Sequence, residues 1–308
     1  MRGDKVGVVH AVQVVARQDE VVGDAVALGL RGRPTVVYHC ADLAYKWTAF
    51  DGANWSPPAT ISWTENAWAF LDGSCGIGIP VGGGTALGAV SLTDSRNGNL
   101  LATWGSAGSQ ATQRDIQAYG HTGANVSAKM DGSGRLNVSY TYQAGVSGTP
   151  GTPYVAYGQL NAGSWTSQLV DTMASNDVGY GTSSMTSIAI DGTGHPGIAY
   201  YTPSGYKYAY WNGSAWSRSI IDRYQSSSSV DESIAFDHAG APHVALLGNS
   251  YGSLCLKHAV LSGSTWTEEI VDATTGYSCS IAVDAAGKVY IAYHDPNTLK
   301  LRVAIRTP

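Results

Sequence analysis

The chain has 308 residues, a net charge of -5 and only 13% charged residues, yet it contains 38 glycines, 9 tryptophans and 18 tyrosines. This negative balance offers little to a phosphate backbone, so we expect no nucleic-acid partner. No apolar run approaches the roughly 20 residues that a membrane-spanning helix needs, so we expect no membrane span. A composition rich in turn residues and aromatics is typical of an all-β protein.

In chain order, the first predicted element is an apolar strand at residues 6–16 (VGVVHAVQVVA). Six copies of one unit follow, each made of two strands joined by a tight turn. Three copies are close to one another: SIAIDGTGHPGIAYY from residue 187, SIAFDHAGAPHVALL from residue 233 and SIAVDAAGKVYIAYH from residue 280. Looser copies begin at residues 25, 127 and, with one extra residue in the turn, near 90. Internal repetition of this kind fixes the architecture before any single residue does.

Each copy predicts four strands. The first strand alternates apolar and polar residues and ends in Asp-x-x-Gly, in which the Asp accepts turn N–H groups and the Gly supplies a positive φ. A second strand and, after a variable loop, a third strand follow. A fourth strand opens with Trp and often closes with Asp, as from Trp216 to Asp222. Four antiparallel strands per repeated unit predict a β-propeller.

The turn position recurs at residues 94, 131, 191, 237 and 284, with Gly29 in the matching place of the first copy. This spacing predicts a six-bladed β-propeller, with blades of about 50 residues, as a single domain over residues 1–308. The last copy stops after its third strand, so we expect residues 6–16 to supply the missing strand and close the ring. A Gly-rich insertion at residues 63–87 leaves a seventh, degenerate blade as the alternative.

The repeated units resemble the propeller repeats of secreted and surface bacterial proteins. The resemblance covers nearly the whole chain and implies the fold, whereas propellers host binders and enzymes alike. The sequence starts with Met1-Arg-Gly-Asp-Lys and leads straight into the first predicted strand, so either the protein is cytoplasmic or its leader lies outside this sequence. The four cysteines favour the second alternative, an extracellular or cell-surface protein. The Asp box of sialidases is not matched, because its Asp and Gly-x-x-Trp parts fall in different turns here, so sialidase activity is not inferred from the resemblance.

The four cysteines leave two alternatives open. The first is a pair of disulfides, Cys40–Cys75 and Cys255–Cys279, and the second is four free thiols. Cys and His spacings typical of a structural zinc site are absent from the sequence.

The loops from strand four to strand one and from strand two to strand three vary between copies, while the opposite turns are regular. We call the side that carries these variable loops the irregular-loop face, and we expect function there. Its acidic residues disfavour anionic ligands and suit neutral sugars, cations or a basic partner. Solvated loop acids are the alternative explanation for most of them.

Two carboxylates depart from the repeat. Asp24 and Glu232 stand five residues before the turn position, where other copies have Ala89, Val126, Thr186 and Cys279. If both face a central channel, they could bind Ca²⁺ or act as an acid/base pair. The alternative is that each is hydrogen-bonded to neighbouring backbone.

Two histidines end the second strands of the first and last copies. His39 and His294 would be neighbours in a closed ring, and Asp42 and Asp295 follow them closely. A His–carboxylate pair could serve as a base or a metal ligand. The alternative is that each His fills an aromatic position of the repeat.

Aromatic residues divide in the same way. The repeated tryptophans at 55, 165, 216 and 266 predict packing between blades, whereas off-repeat aromatics in variable loops suit stacking on a sugar ring. The predicted ligand-binding residues are Asp42, Tyr142, Tyr201, Tyr251, Tyr277, Asp231 and Asp295.

The first functional hypothesis is therefore an extracellular glycan-binding propeller with one central site that prefers neutral sugars. One alternative is a carbohydrate-active enzyme, a glycoside hydrolase or lyase, that uses Asp24, Glu232, His39 and His294 as catalytic residues. Another is a scaffold for protein partners. We expect no cofactor apart from the calcium alternative, and the sequence leaves the oligomeric state open.

Overall fold

A computed structural model describes residues 21–28, 34–40, 45–49, 53–61, 75–78, 86–93, 100–106, 112–117, 121–122, 126–146, 149–161, 164–173, 186–202, 204–224, 231–250, 253–273, 278–295 and 300–308. These residues form 24 strands in six antiparallel sheets, which confirms the all-β class. No helix within the described residues is long and apolar enough to cross a membrane. Residues 6–16 lie outside the described residues.

Sheets 1 to 3 come from residues 21–172. Sheet 1 contains β1 (Val21–Leu28), β2 (Pro34–Cys40), β3 (Tyr45–Ala49) and β4 (Ala59–Ile61). Sheet 2 contains β5 (Cys75–Gly78), β6 (Ala86–Thr93), β7 (Leu100–Ser106) and β8 (Thr112–Gln117). Sheet 3 contains β10 (Ser127–Met130), β11 (Leu136–Val146), β12 (Thr149–Asn161) and β13 (Ser164–Thr172), and the short β9 (His121–Thr122) also pairs with β11.

Sheets 4 to 6 follow the three close copies of the repeat. Sheet 4 contains β14 (Thr186–Ile190), β15 (Pro196–Thr202), β16 (Gly205–Trp211) and β17 (Trp216–Asp222). Sheet 5 contains β18 (Glu232–Phe236), β19 (Pro242–Ser250), β20 (Ser253–Ser262) and β21 (Thr265–Asp272). Sheet 6 has three described strands, β22 (Cys279–Val283), β23 (Val289–Asp295) and β24 (Lys300–Arg306).

The first strands of successive sheets lie side by side, in the order β1, β5, β10, β14, β18, β22. This is a propeller-like arrangement, in which each sheet packs its face on the next. Among the described strands, no comparable contact joins β22 to β1.

Sheet 2 differs from the register that the sequence predicts. The innermost strand of this sheet is β5, which lies within the Gly-rich insertion. The sequence predicted that β6 would be innermost, but β6 is the second strand. The turn at Asp94 therefore joins the second and third strands of the sheet. The insertion supplies one strand to sheet 2, and this also explains the short spacing before the next copy.

The Asp-x-x-Gly turn has the predicted hydrogen bonds. In the turn after β14, Asp191 Oδ1 accepts the backbone N–H groups of Thr193 (2.8 Å) and His195 (2.9 Å). Gly194 closes this turn with φ +87°, a conformation that residues with a Cβ rarely adopt. The turns after β10 and β22 repeat both Asp bonds, the turn after β18 repeats the bond from Ala241 N–H to Asp237 Oδ1, and all three have a positive-φ glycine.

The repeated Ser-Ile pair links neighbouring sheets. The Ile234 amide donates to Ser187 Oγ of the preceding sheet at 3.2 Å, and the Ile281 amide donates to Ser233 Oγ at the same distance. The Ile188 amide bonds Ser127 Oγ in the same way. Each serine thus satisfies a backbone donor of the next sheet, which explains why this pair recurs in the sequence.

Apolar clusters fill the spaces between sheets 3, 4, 5 and 6. The repeated tryptophans close these spaces at the outer strands. Trp216 of sheet 4 meets Tyr157 of sheet 3 edge-on at 5.4 Å between ring centroids, and Trp266 of sheet 5 meets Tyr208 of sheet 4 at the same separation. The predicted packing between blades is confirmed for these two tryptophans.

The Asp residues that close the fourth strands form ion pairs with the third strand of the next sheet. Asp171 Oδ2 lies 3.0 Å from Lys207 Nζ, Asp222 Oδ2 lies 2.6 Å from Lys257 Nζ, and Asp272 Oδ2 lies 3.4 Å from Arg302 Nη1. These carboxylates connect neighbouring sheets. For these three residues, the alternative explanation of freely solvated loop acids is therefore wrong.

Candidate functional site

The first residue of each close copy's innermost strand points toward the preceding sheet. In sheet 4 this residue is Thr186, whose hydroxyl hydrogen-bonds Ser139 Oγ of sheet 3 at 2.9 Å. In sheet 5 it is Glu232, which pairs across the ladder with Leu246, a member of the apolar cluster between sheets 4 and 5. Because paired residues share a face of a sheet, the Glu232 side chain lies between sheets 4 and 5. This differs from the orientation toward a central channel that the sequence suggests.

Glu232 is buried without a hydrogen-bond partner. It is 4% exposed, and neither carboxyl oxygen has a partner among the described residues. Burial, and after it the neighbouring Asp231 carboxylate, raises the pKa of Glu232 well above its ordinary value. Most buried polar groups in proteins are hydrogen-bonded, so an unpaired one requires an explanation.

The Tyr206 hydroxyl faces the same space from β16, with the backbone N–H of Asp231 beside it and no side-chain partner among the described residues. Burial and then the nearby Glu232 carboxylate raise the pKa of this phenol. The sequence analysis missed Tyr206, although a signal was present. Tyr206 pairs with Tyr201 as Leu256 pairs with Leu247 and Leu301 with His294, so it places a hydroxyl where the two following copies have leucine.

Leu246 makes the space between sheets 4 and 5 different from its neighbours. The equivalent residues of sheets 4 and 6 are Tyr200 and Tyr293, whose hydroxyls donate to Asp171 (2.9 Å) and Asp272 (3.0 Å). Leucine has no ring or hydroxyl to reach Asp222 from this position. Glu232, Leu246 and Lys257 lie side by side across three neighbouring strands. With leucine at the middle position, this set lacks the aromatic ring that the adjacent interfaces contain.

Asp231 is anchored, in contrast to Glu232. Its Oδ2 accepts the Cys279 backbone N–H at 2.7 Å, and its carbonyl accepts the Leu247 N–H at 3.2 Å. Burial raises the pKa of Asp231 to about 6 despite the hydrogen bond from Cys279. Asp231 thus joins sheets 5 and 6 and contributes negative charge beside Glu232.

Other predicted residues lie around this region or apart from it. Tyr201 is buried and meets the Tyr206 ring edge-on at 5.0 Å. Asp295 is buried in sheet 6, where Arg302 Nη2 lies 2.5 Å from its carboxylate. His294 is partly exposed on β23, and Tyr142 is half-buried in sheet 3 against Tyr154, with ring centroids 4.7 Å apart. Their predicted roles stay predictions.

The remaining candidates belong to the less fully described part of the chain. Asp24 lies on β1 and His39 on β2, in a sheet that does not adjoin sheet 5. Asp42, Tyr251 and Tyr277 lie outside the described residues.

Cys255 and Cys279 are free thiols, so the disulfide alternative for this pair is wrong. Within the described residues, no group of three or more His, Cys, Asp and Glu side chains could hold a metal ion.

A second buried polar cluster lies at the opposite end of sheet 5, near the Asp237 turn. His243 Nδ1 and His258 Nε2 are 3.0 Å apart, with the two rings stacked. His258 Nδ1 lies 2.8 Å from Glu269 Oε1, and Arg306 Nε of sheet 6 lies 2.8 Å from the same oxygen. We call this set the histidine cluster.

No protein-family model and no curated protein matches the chain. Solved structures with the same fold include AofleA from Arthrobotrys oligospora, at 13% identity and a TM-score of 0.57, covering 94% of this chain and 84% of the other. The Aleuria aurantia lectin in complex with Fucalpha1-6GlcNAc has 13% identity and a TM-score of 0.56, covering 92% and 91%. An ulvan lyase, a polysaccharide lyase, has 11% identity and a TM-score of 0.57, covering 93% and 82%. At these identities the likeness concerns the fold alone.

Proposed function

We propose that the protein binds carbohydrate, and that a neutral sugar binds at the irregular-loop end of the interface between sheets 4 and 5, where Glu232 and Tyr206 lie. The observation that carries this proposal is the buried Glu232 carboxyl group at the irregular-loop face, which has no hydrogen-bond partner among the described residues and lies beside the buried Tyr206 hydroxyl. A buried polar group without a hydrogen bond costs about 1–3 kcal/mol. Sugar hydroxyls both donate and accept, so a bound sugar would offset that cost.

The lectins among the structural neighbours support the same class of ligand. Lectins crystallised with fucosides share this fold, and a fucoside is a neutral sugar. Asp231 places a negative charge beside the proposed site, which would repel sialate, uronate or sulfate groups. We therefore propose a preference for neutral sugars, with fucosides as the first to test.

A glycan array that contains neutral, sialylated, sulfated and uronate-bearing sugars tests the proposal. We expect binding to neutral glycans, and a loss of about tenfold or more in affinity for Tyr206→Phe, which removes one buried hydrogen bond to the ligand. Tyr290→Phe is the matched control, because its hydroxyl bonds Asp284 in the turn at the opposite end of sheet 6. An absence of glycan binding, or equal binding by Tyr206→Phe, would contradict the proposal.

An enzyme is the second candidate, because Asp231 and Glu232 are adjacent carboxyl groups with raised pKa values, a property of general acids. Incubation of each bound glycan with the protein, followed by mass spectrometry, distinguishes the two functions. A binder returns its ligand unchanged, whereas a lyase or hydrolase produces shorter sugars.

We further propose that the six sheets close into a six-bladed ring, with sheet 6 packed on sheet 1 and residues 6–16 as its fourth strand. Leu301 and Val303 of β24 are 66% and 56% exposed. Their equivalents on β16 and β20 are buried against the following sheet. Deletion of residues 1–16 should lower the melting temperature, and an unchanged melting curve would contradict closure.

A further inference from the structure

The Glu232 carboxyl group has no cation available to it among the described residues. The groups that face it are Asp231, the Tyr206 phenol and the Cys279 thiol, none of which is positively charged. Lys257 lies on the same face of sheet 5, but its ammonium group is held by Asp222 at 2.6 Å and by Glu268 at 3.0 Å. A charged carboxylate at Glu232 would therefore be buried next to a second carboxylate without compensation.

We propose that Glu232 acts as a neutral carboxylic acid that donates a hydrogen bond to an oxygen of the bound sugar, so that rising pH weakens binding. This inference rests on the proposed function, because it concerns the same site. It assigns Glu232 the role of hydrogen-bond donor, whereas the sequence suggested a calcium ligand or an acid/base pair.

The hydrogen-bonding capacity of the two groups favours a polyhydroxylated ligand. A protonated carboxyl group offers one donor and acceptor oxygens, and the Tyr206 hydroxyl offers one donor and one acceptor site. Adjacent sugar hydroxyls could accept from one group and donate to the other. A carboxylate could only accept, so ionisation removes a donor and adds a buried charge.

The direction of the pH effect follows from burial, which raises the pKa of Glu232. Below this raised pKa the donor is present and the sugar binds. As the pH rises through it, the free protein loses the proton that the complex requires, and the apparent affinity falls. Without ligand, the raised pKa also affects stability. The unfolded chain loses the Glu232 proton more readily than the folded protein, so the free energy of unfolding falls as the pH rises above the ordinary Glu value of 4.5.

Isothermal titration of the best neutral glycan from the array, repeated from pH 7 to pH 9, tests this inference, because Asp231, with a pKa of about 6, is already ionised in that range. Glu232→Gln is the matched variant, because its amide keeps the size and a donor at every pH. We expect the affinity of the unchanged protein to fall about tenfold or more across the range. For Glu232→Gln we expect the affinity to be independent of pH.

Two outcomes would overturn the inference and leave the proposed function standing. One is sugar binding that does not depend on pH in the unchanged protein, and the other is an equal fall in Glu232→Gln. Binding of no sugar at any pH would instead overturn the proposed function itself.

If Glu232→Gln fails to fold, the difference infrared spectrum of the unchanged protein between neutral and alkaline pH tests whether Glu232 is protonated. A protonated acid shows the carbonyl stretch of a neutral carboxyl group at pH 7, and this band disappears at higher pH. Absence of the band at pH 7 would contradict the inference.

Discussion

Two polar clusters are buried in sheet 5, at opposite ends, and they differ in whether their hydrogen bonds are complete. In the histidine cluster each ring of His243 and His258 has a nitrogen within hydrogen-bond distance of a polar atom, and Glu269 also pairs with Arg306. At the irregular-loop face, Glu232 has no hydrogen-bond partner among the described residues, and the Tyr206 hydroxyl has no side-chain partner there. The first arrangement is typical of a structural network, and the second of a site that a ligand completes.

Sheet 3 supports this distinction. At the positions equivalent to His243 and His258 it has Asn137 and Tyr157, and the Tyr157 hydroxyl donates to Asn137 Oδ1 at 2.5 Å. Different residues thus form complete networks at the turn end of two sheets, so this position stabilises the fold. At the irregular-loop end the equivalent residues differ in whether they are hydrogen-bonded. Thr186 has a partner in sheet 4, whereas Glu232 of sheet 5 has none among the described residues.

We expect the largest effect on the unfolding free energy when a hydrogen-bonded side chain of the histidine cluster is removed. His258→Ala leaves the His243 Nδ1 without its partner and creates a cavity at a fully buried position, which should cost about 3 kcal/mol of unfolding free energy. Urea denaturation followed by tryptophan fluorescence measures it. A loss below about 1 kcal/mol would mean that the histidine cluster is not structural.

Removal of the unpartnered carboxyl group should act in the opposite direction. Glu232→Leu replaces a buried, unsatisfied acid with an apolar side chain, which should raise the unfolding free energy by about 1–3 kcal/mol and abolish sugar binding. Glu269→Leu is the matched control, because the same replacement in the histidine cluster should destabilise. Two effects of the same sign in urea denaturation would remove the contrast between the clusters.

The pH dependence of stability sharpens the comparison. Burial lowers the pKa of both His243 and His258, whose rings face Asp237, Glu269 and Arg306. The folded state therefore resists protonation, and stability is lost as the pH falls below the ordinary His value of 6.5.

The double variant His243→Asn with His258→Tyr copies the pair found in sheet 3 and has no group that titrates near pH 6 at these positions. Melting temperatures between pH 8 and pH 5 should fall less for this variant than for the unchanged protein. Parallel curves would contradict the assignment of acid sensitivity to the pair.

The smallest expected effect is at the exposed end of the histidine cluster. Arg306 is nearly half exposed, so Arg306→Gln should cost less than about 1 kcal/mol, and less in high salt. A loss as large as that of His258→Ala would show that this ion pair is as important as the buried rings.

The repeat predicted most of the fold because its signals are local. The Asp turns, the Ser-Ile pairs and the repeated tryptophans each recur with the contacts that their chemistry predicts. The register of sheet 2 was not predictable in this way, since the turn at Asp94 resembles the others although it joins different strands. The strand β5 carries little apolar pattern, because Gly76 and Gly78 take up half of it.

The candidate site was only partly predictable. Glu232 departs from its repeat position and was identified on that basis. Its orientation toward sheet 4 depends on strand pairing, and its lack of a partner depends on which side chains of sheet 4 reach it, and the repeat reveals neither. Tyr206 was missed because a tyrosine in an aromatic-rich strand is compatible with ordinary packing.

A crystal structure of the protein with methyl α-fucoside, or with the best neutral glycan from the array, tests the central claim most directly. We predict sugar density between sheets 4 and 5, with ring oxygen or hydroxyl atoms within hydrogen-bond distance of Glu232 and Tyr206. Density bound only among the turns near Asp191, Asp237 and Asp284, or a complex in which Glu232 and Tyr206 remain without partners, would contradict it.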